Sequence, residues 1–290
     1  ITTRLEAQYQ ELLTATGCAD LECLRSLTEE ELIHGQHAAL QSAYGRHYGY
    51  GDFWFGPTID GDIIRDLPSN EFKKGYFSKV PFLTNRASYE GFSYTPPMLN
   101  SISASSDADL IADLKILYPT FTSSPSFLTR LLSLYPPSSY ATLFYRRSAI
   151  FSDVVVNCPT YHLVSRMGDH MPAWKFVFRT GTQTHGADWR FLWDADFGVV
   201  EGDNKTVASM LKDYYIAFTT ALDPNALLDA HTGKPEWPSY VPAPRVEGQV
   251  VGNQSFDILE FTDGGIEVVR DPDVSDVCDF WASQNWIARN

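Results

Sequence analysis

Two short apolar runs, Val80 to Leu83 and Trp174 to Phe178, are separated by long stretches of helix-forming sequence. The first reads as a buried strand and the second as a strand. Isolated strands among long helices predict α/β architecture. Only about two strands look central enough for a main sheet, and one continuous core needs more. The expectation is therefore that residues 1–290 form a portion of one larger domain, with no independent second domain.

The helical signals are specific. Residues 3–15 place Leu5, Tyr9, Leu12 and Leu13 on one face, and Gly17 breaks the pattern. Thr28-Glu29-Glu30-Glu31 fits a capping box that opens a helix through about Ala39. Residues 44–80 read as irregular loop around a short extended element at 53–64. Helices follow at 107–117 and 125–134, the latter with Ser124 as N-cap and Pro125 in the first position. Residues 139–168 form a longer helical stretch interrupted at Pro159. Residues 204–221 repeat apolar side chains at helical spacing. Residues 256–269 form a hairpin across Asp263-Gly264-Gly265, and a last helix covers 273–287.

Composition narrows the function classes. Hydrophobic residues make up 44% of the 290, enough for a sizeable core. A net charge of −14 argues against nucleic acid and anionic membrane surfaces as partners. No apolar stretch approaches the length of a spanning helix. Four cysteines permit three pairings, and the residues alone choose none of them. With the sequons at Asn204 and Asn253 they favour a secreted, extracellular protein. The chain starts at Ile1, so any targeting segment is expected upstream.

The chemistry-bearing residues follow the two strands. Glu90 sits in a loop after the first, and His185 in a loop after the second. A carboxylate that orients an imidazole, and an imidazole that moves a proton, are two of the three parts of a serine hydrolase. Their order along the chain is that of Ser…Asp/Glu…His in α/β hydrolases, but no G-x-S-x-G occurs. Taken one at a time, Glu90 reads more readily as an exposed loop acid, and His185 reads equally as a surface histidine. His34 and His37 stand three apart on a helix with no third ligand in pattern, so no metal and no cofactor is expected. The aromatics at 53–55, 89, 92 and 94 are candidates for contacting substrate, with Phe55, Tyr89 and Phe92 foremost. Core packing is the competing reading.

Several ordered segments carry a resemblance. They are Gly17-Cys18 followed by Cys23-Leu24-Arg25, Gly56-Pro57-Thr58-Ile59-Asp60-Gly61 with Leu67-Pro68, and Pro81 to Asn85 ending in Glu90-Gly91. Asp153 with Asn157-Cys158-Pro159, His185-Gly186-Ala187-Asp188, Asp223-Pro224-Asn225, Trp237-Pro238-Ser239-Tyr240 and Cys278-Asp279-Phe280-Trp281 complete the set. In order and spacing the chain resembles the C-terminal half, or slightly more, of the type-B carboxylesterase/lipase family, which includes cholinesterases and secreted fungal lipases.

That resemblance implies an α/β-hydrolase fold, incomplete without an upstream part. It implies Glu90 and His185 as two members of a Ser-Glu-His triad. It also implies disulfides Cys18–Cys23 and Cys158–Cys278, and a structural role for Asp153. The expected partners are an N-terminal portion carrying the nucleophilic serine and oxyanion hole, and a small-molecule or lipid ester as substrate. A catalytically inactive binding or adhesion module on the same fold is the alternative.

Overall fold

The computed structural model describes residues 2–118, 124–193, 204–230, 233–241, 245–246, 249–250 and 256–284. In chain order its helices and strands begin with α1 (Thr2–Thr16), α2 (Leu21–Ser26), α3 (Glu29–Ala43), α4 (Pro68–Lys73) and β1 (Phe82–Ala87). Next come α5 (Asp107–Leu117), α6 (Pro125–Leu134), α7 (Leu143–Ser152), α8 (Cys158–Gly168) and β2 (Ala173–Arg179). Then follow α9 (Trp189–Leu192), α10 (Lys205–Ala221), β3 (Arg245–Val246), β4 (Gln249–Val250), β5 (Asp257–Thr262), β6 (Gly265–Arg270) and α11 (Asp276–Ser283). The chain divides into two units, Ile1–Asp66 with Ser105–Leu132, and Leu67–Ala104 with Ser133–Asn290.

In the first unit α1 packs on α3. The capping box is present: the Thr28 hydroxyl accepts from Glu31 N–H, and the Glu31 carboxylate accepts from Thr28 N–H at 2.8 Å. Asp20 caps α2 by accepting from Cys23 N–H at 2.9 Å, inside the small loop closed by Cys18–Cys23. The extended element expected at 53–64 is absent. The chain turns there instead, around Asp60, whose carboxylate accepts from the N–H groups of Asp62 and Ile64. Such Asx turns replace ladder bonds with local ones.

The second unit holds the four-stranded sheet, ordered β1-β2-β5-β6. β1 and β2 are parallel, β2 and β5 are parallel, and β5–β6 is the antiparallel hairpin. The expectation of about two central strands is thus corrected, because the hairpin joins the main sheet through β5. Its antiparallel half is visible locally, but its parallel partner lies far away in sequence and leaves no local mark.

β2 is the middle of this arrangement and is buried from Ala173 to Phe178. Trp174, Phe176 and Phe178 point to one face and meet Leu259 and Phe261 of β5 and Val207, Leu211 and Tyr214 of α10. Each such buried large side chain contributes about 2 kcal/mol by removal of apolar surface from water. Lys175 points to the opposite face, 6.0 Å from the Tyr161 ring of α8.

That lysine is fully buried and ionic. Its ammonium donates to Asp271 at 2.8 Å and Asp273 at 2.6 Å. Asp273 also accepts two bonds at 2.7 Å from Arg86 of β1. Burial alone would raise the Asp273 carboxyl, but Lys175 and Arg86 outweigh it and hold it below the ordinary carboxylate value. β1 begins two residues later than the apolar run and extends through polar Asn85 and Arg86, which pair with Asp188 and Asp273. Each polar group has a buried partner, so the strand tolerates them.

The long helical stretch differs from expectation as well. It begins at Leu143 and is not broken at Pro159, because residues 153–157 form a π-helical segment. Cys158 N–H donates to Asp153 C=O, one residue beyond the α-helical partner. Pro159 then falls in the first turn of α8, where its missing donor costs nothing. Cys158 is bonded to Cys278 in α11, as the resemblance implies.

Candidate active site

The β1–β2 ladder continues past both strand ends. Ser88 N–H donates to Phe178 C=O at 3.1 Å and Tyr89 N–H to Gln183 C=O at 2.9 Å. Two loops that are far apart in sequence are therefore stitched side by side. One carries Glu90 and the other His185.

Glu90 is buried and accepts twice. Its Oε2 lies 2.5 Å from His185 Nδ1, and its Oε1 accepts from Ala87 N–H at 2.5 Å. The backbone bond fixes the carboxylate rotamer, and the imidazole supplies the partner that a buried carboxylate requires. The exposed-loop reading of Glu90 fails on this burial. His185 is the opposite: its side chain is 48% exposed. With Nδ1 held by Glu90, Nε2 is the nitrogen left to exchange a proton.

The turn at Glu90 depends on Gly91. A Cβ there would stand 2.2 Å from the Ser148 carbonyl oxygen of α7. Gly91 N–H donates to the Ser152 hydroxyl at 2.7 Å, and Arg147 donates to Tyr94 C=O at 2.7 Å, so α7 carries the acid loop. The histidine loop is bent by left-handed residues, Gly181, Gln183 and Gly186, with φ of 62°, 57° and 78°. At its start Thr180 and Gly181 donate to the Asp263 carboxylate in the β5–β6 turn. At its end the buried Asp188 carboxylate accepts from Asn85 Nδ2 of β1 at 2.8 Å. Burial raises the Asp188 carboxyl above its ordinary value, against the Asn85 bond that favours its charged form.

The predicted aromatic contacts divide. Tyr89 and Phe92 lie exposed on the acid loop, Phe92 edge-on to Phe144 at 5.0 Å. Tyr94 stands edge-on to the His185 ring at 5.4 Å. Phe55 lies in the first unit, half-buried beside Trp54. Two residues the sequence did not single out for this region are Trp189 and Trp193, both exposed, the first packing on Gly186. Among the other histidines, His162 is half-buried against Cys278 C=O, and loss of water around it lowers it to about 4, so it stays neutral. Among the described residues no group of three or more His, Cys, Asp or Glu is placed to hold a metal ion.

Asp153 is half-buried. Tyr135 donates to it at 2.8 Å and Asn157 at 2.8 Å, and burial pushes its carboxyl up to about 6. Asn204 caps α10 by accepting from Thr206 and Val207 N–H, while its Nδ2 donates to Asp263 C=O at 3.1 Å. Asn253 and His231 lie outside the described residues.

The carboxylesterase family model matches residues 1–254. Lipase 1 of Geotrichum candidum is 25% identical over 266 residues, covering 81% of this chain and 43% of the lipase. A secreted triacylglycerol lipase of Gibberella zeae is 26% identical over 263 residues, covering 81% and 42%. The solved structure of Aspergillus niger EstA superposes with a TM-score of 0.76 at 21% identity, covering 99% of this chain and 56% of that one. The chain thus spans about half the length of the proteins it matches. It belongs to the carboxylesterase family and has the α/β-hydrolase fold.

Proposed function

We propose that this chain supplies the base and its orienting acid to a carboxylic-ester hydrolase. His185 Nδ1–H donates to Glu90, which fixes the tautomer and stabilises the imidazolium. His185 Nε2 takes the proton of a serine hydroxyl as that oxygen attacks the ester carbonyl. It then returns the proton to the departing alkoxide. The serine and the N–H groups that receive the oxyanion come from sequence outside these 290 residues, on a G-x-S-x-G turn. The observation that carries the reading is the 2.5 Å contact between a buried carboxylate and a half-exposed imidazole.

The substrate is an ester of a carboxylic acid, small or lipidic, met on its apolar side by Tyr89 and Phe92, which lie exposed on the acid loop. An extracellular destination fits two disulfides, with Asn204 and Asn253 as glycan acceptors. Among the described residues no helix is long and apolar enough to cross a membrane.

The test uses the polypeptide that carries both this chain and the serine. His185→Ala is expected to lower kcat for a p-nitrophenyl ester at least a thousandfold, on the order of the loss seen when a triad base is removed. Activity within tenfold of the parent would sink the assignment.

A further inference from the structure

Hydrogen bonds that involve side chains fasten the loop that carries His185 at three places, and only one of them is His185 itself. The Asp263 bonds anchor its start, and the Asn85–Asp188 bond anchors its end. The last is notable for its geometry. Asn85 and Glu90 belong to one continuous segment, and His185 and Asp188 to another. The two segments are thus cross-linked twice by side chains, with two backbone bonds alongside. The His185 side chain is half-exposed, makes one side-chain hydrogen bond to protein and meets the Tyr94 ring edge-on. Asp188, three residues on, is buried. One hydrogen bond and one ring contact leave the distance of the imidazole from Glu90 dependent on where its loop sits.

We propose that Asn85 and Asp188 are positioning residues for His185. Their hydrogen bond sets how the histidine loop sits over β1, and so holds Nδ1 in line with Glu90 and Nε2 at a fixed place. The claim rests on the ester-hydrolase reading for its kinetic consequence but not for its structural one. Catalysis is sensitive to such placement, since an error of about 1 Å in a reacting group costs on the order of a hundredfold in rate. A positioning defect lowers kcat more than it raises KM, because ground-state binding is untouched.

Two measurements test it. The first needs no activity. The proton shared by His185 Nδ1 and Glu90 gives a low-field nuclear magnetic resonance signal if it is protected from exchange, identified by its loss in Glu90→Gln. Asp188→Ala and Asn85→Ala are expected to broaden that signal beyond detection while the circular dichroism melt stays cooperative. The swapped double variant Asn85→Asp/Asp188→Asn, which keeps a carboxylate–amide hydrogen bond, is expected to restore it. The second is kinetic, in the serine-bearing polypeptide. Each alanine variant should lose about tenfold to a hundredfold in kcat with KM within threefold, and the swap should recover at least half of the logarithmic loss.

A low-field signal unchanged in both alanine variants overturns the proposal. So does a swap that folds but restores neither signal nor kcat. A parent polypeptide that hydrolyses no ester, yet shows the same pattern of lost and restored signal, defeats the ester-hydrolase reading and leaves the positioning role standing.

Discussion

At the level of single residues, environment separates groups that look alike in sequence. Glu90 and Asp153 are both carboxyls held by protein hydrogen bonds, but their partners differ. Glu90 faces an imidazole, whereas Asp153 receives bonds from Tyr135 and Asn157 in a desolvated site that lifts it to about 6. A folded pKa above the ordinary 3.8 means that the native state prefers the protonated acid. Its contribution is complete below the unfolded value and is lost as pH rises through about 6. Asp153→Asn cannot titrate. Thermal melts of parent and variant should diverge between pH 4 and 7 (roughly the span of the two pKa values), with the parent losing ground. Parallel curves would show that Asp153 is not the titrating group. Gly91 makes a second case. Gly91→Ala drives a Cβ into the Ser148 backbone, so we expect a loss of about 1–3 kcal/mol in denaturant unfolding together with reduced kcat. Neither Glu90 nor His185 was distinguishable from surface residues on its own neighbours; only the loop pairing separates them.

Elements show where sequence reading succeeds and where it stops. The capping box at Thr28, the N-cap and proline at Ser124-Pro125 and the hairpin at Asp263 are local devices, and each was legible. The π-helical segment at Asp153–Asn157, the short helices α4 and α9 and the parallel pairing of β2 with β5 were not. Parallel ladders and helix irregularities depend on partners distant in sequence. The two disulfides act at this scale. Cys158–Cys278 closes a separation of 120 residues and Cys18–Cys23 one of 5. Loop-closure entropy gives about 5 kcal/mol for the long loop and about 2 for the short one. Replacing the first pair with alanine should therefore shift the urea midpoint well beyond the shift from replacing the second. Equal shifts would place the effect in native-state contacts instead.

Across the whole molecule, a buried ionic cluster ties the elements that carry the site. Lys175 of β2 meets Asp271 and Asp273 between β6 and α11, and Arg86 of β1 meets Asp273. Tyr240 donates to Asp271 at 2.9 Å, and the Asn225 side chain brackets the Trp237 backbone with a donor and an acceptor. The motif residues around Asp223 and Trp237 thus serve the frame and not the chemistry. Lys175→Met leaves two acids short of a cation in a dry interior, so stability should fall by about 3–5 kcal/mol. Asp271→Asn added to it should recover part of that loss, which a double-mutant cycle in urea measures. No recovery would mean that the lysine acts by packing alone.

What the residues determined by themselves were the local devices: helix caps, the hairpin, the apolar strand runs and, through ordered motifs, the family and its cysteine pairs. Periodicity and capping are governed by neighbours within a few positions, so they are written in the chain. The tertiary structure decided which loops meet. The parallel β1–β2 ladder, carried beyond its strands by Ser88 and Tyr89, sets Glu90 against His185 and Asn85 against Asp188. Parallel pairing brings together segments that share no local signature, and burial of the Glu90 carboxylate makes the imidazole the partner it requires.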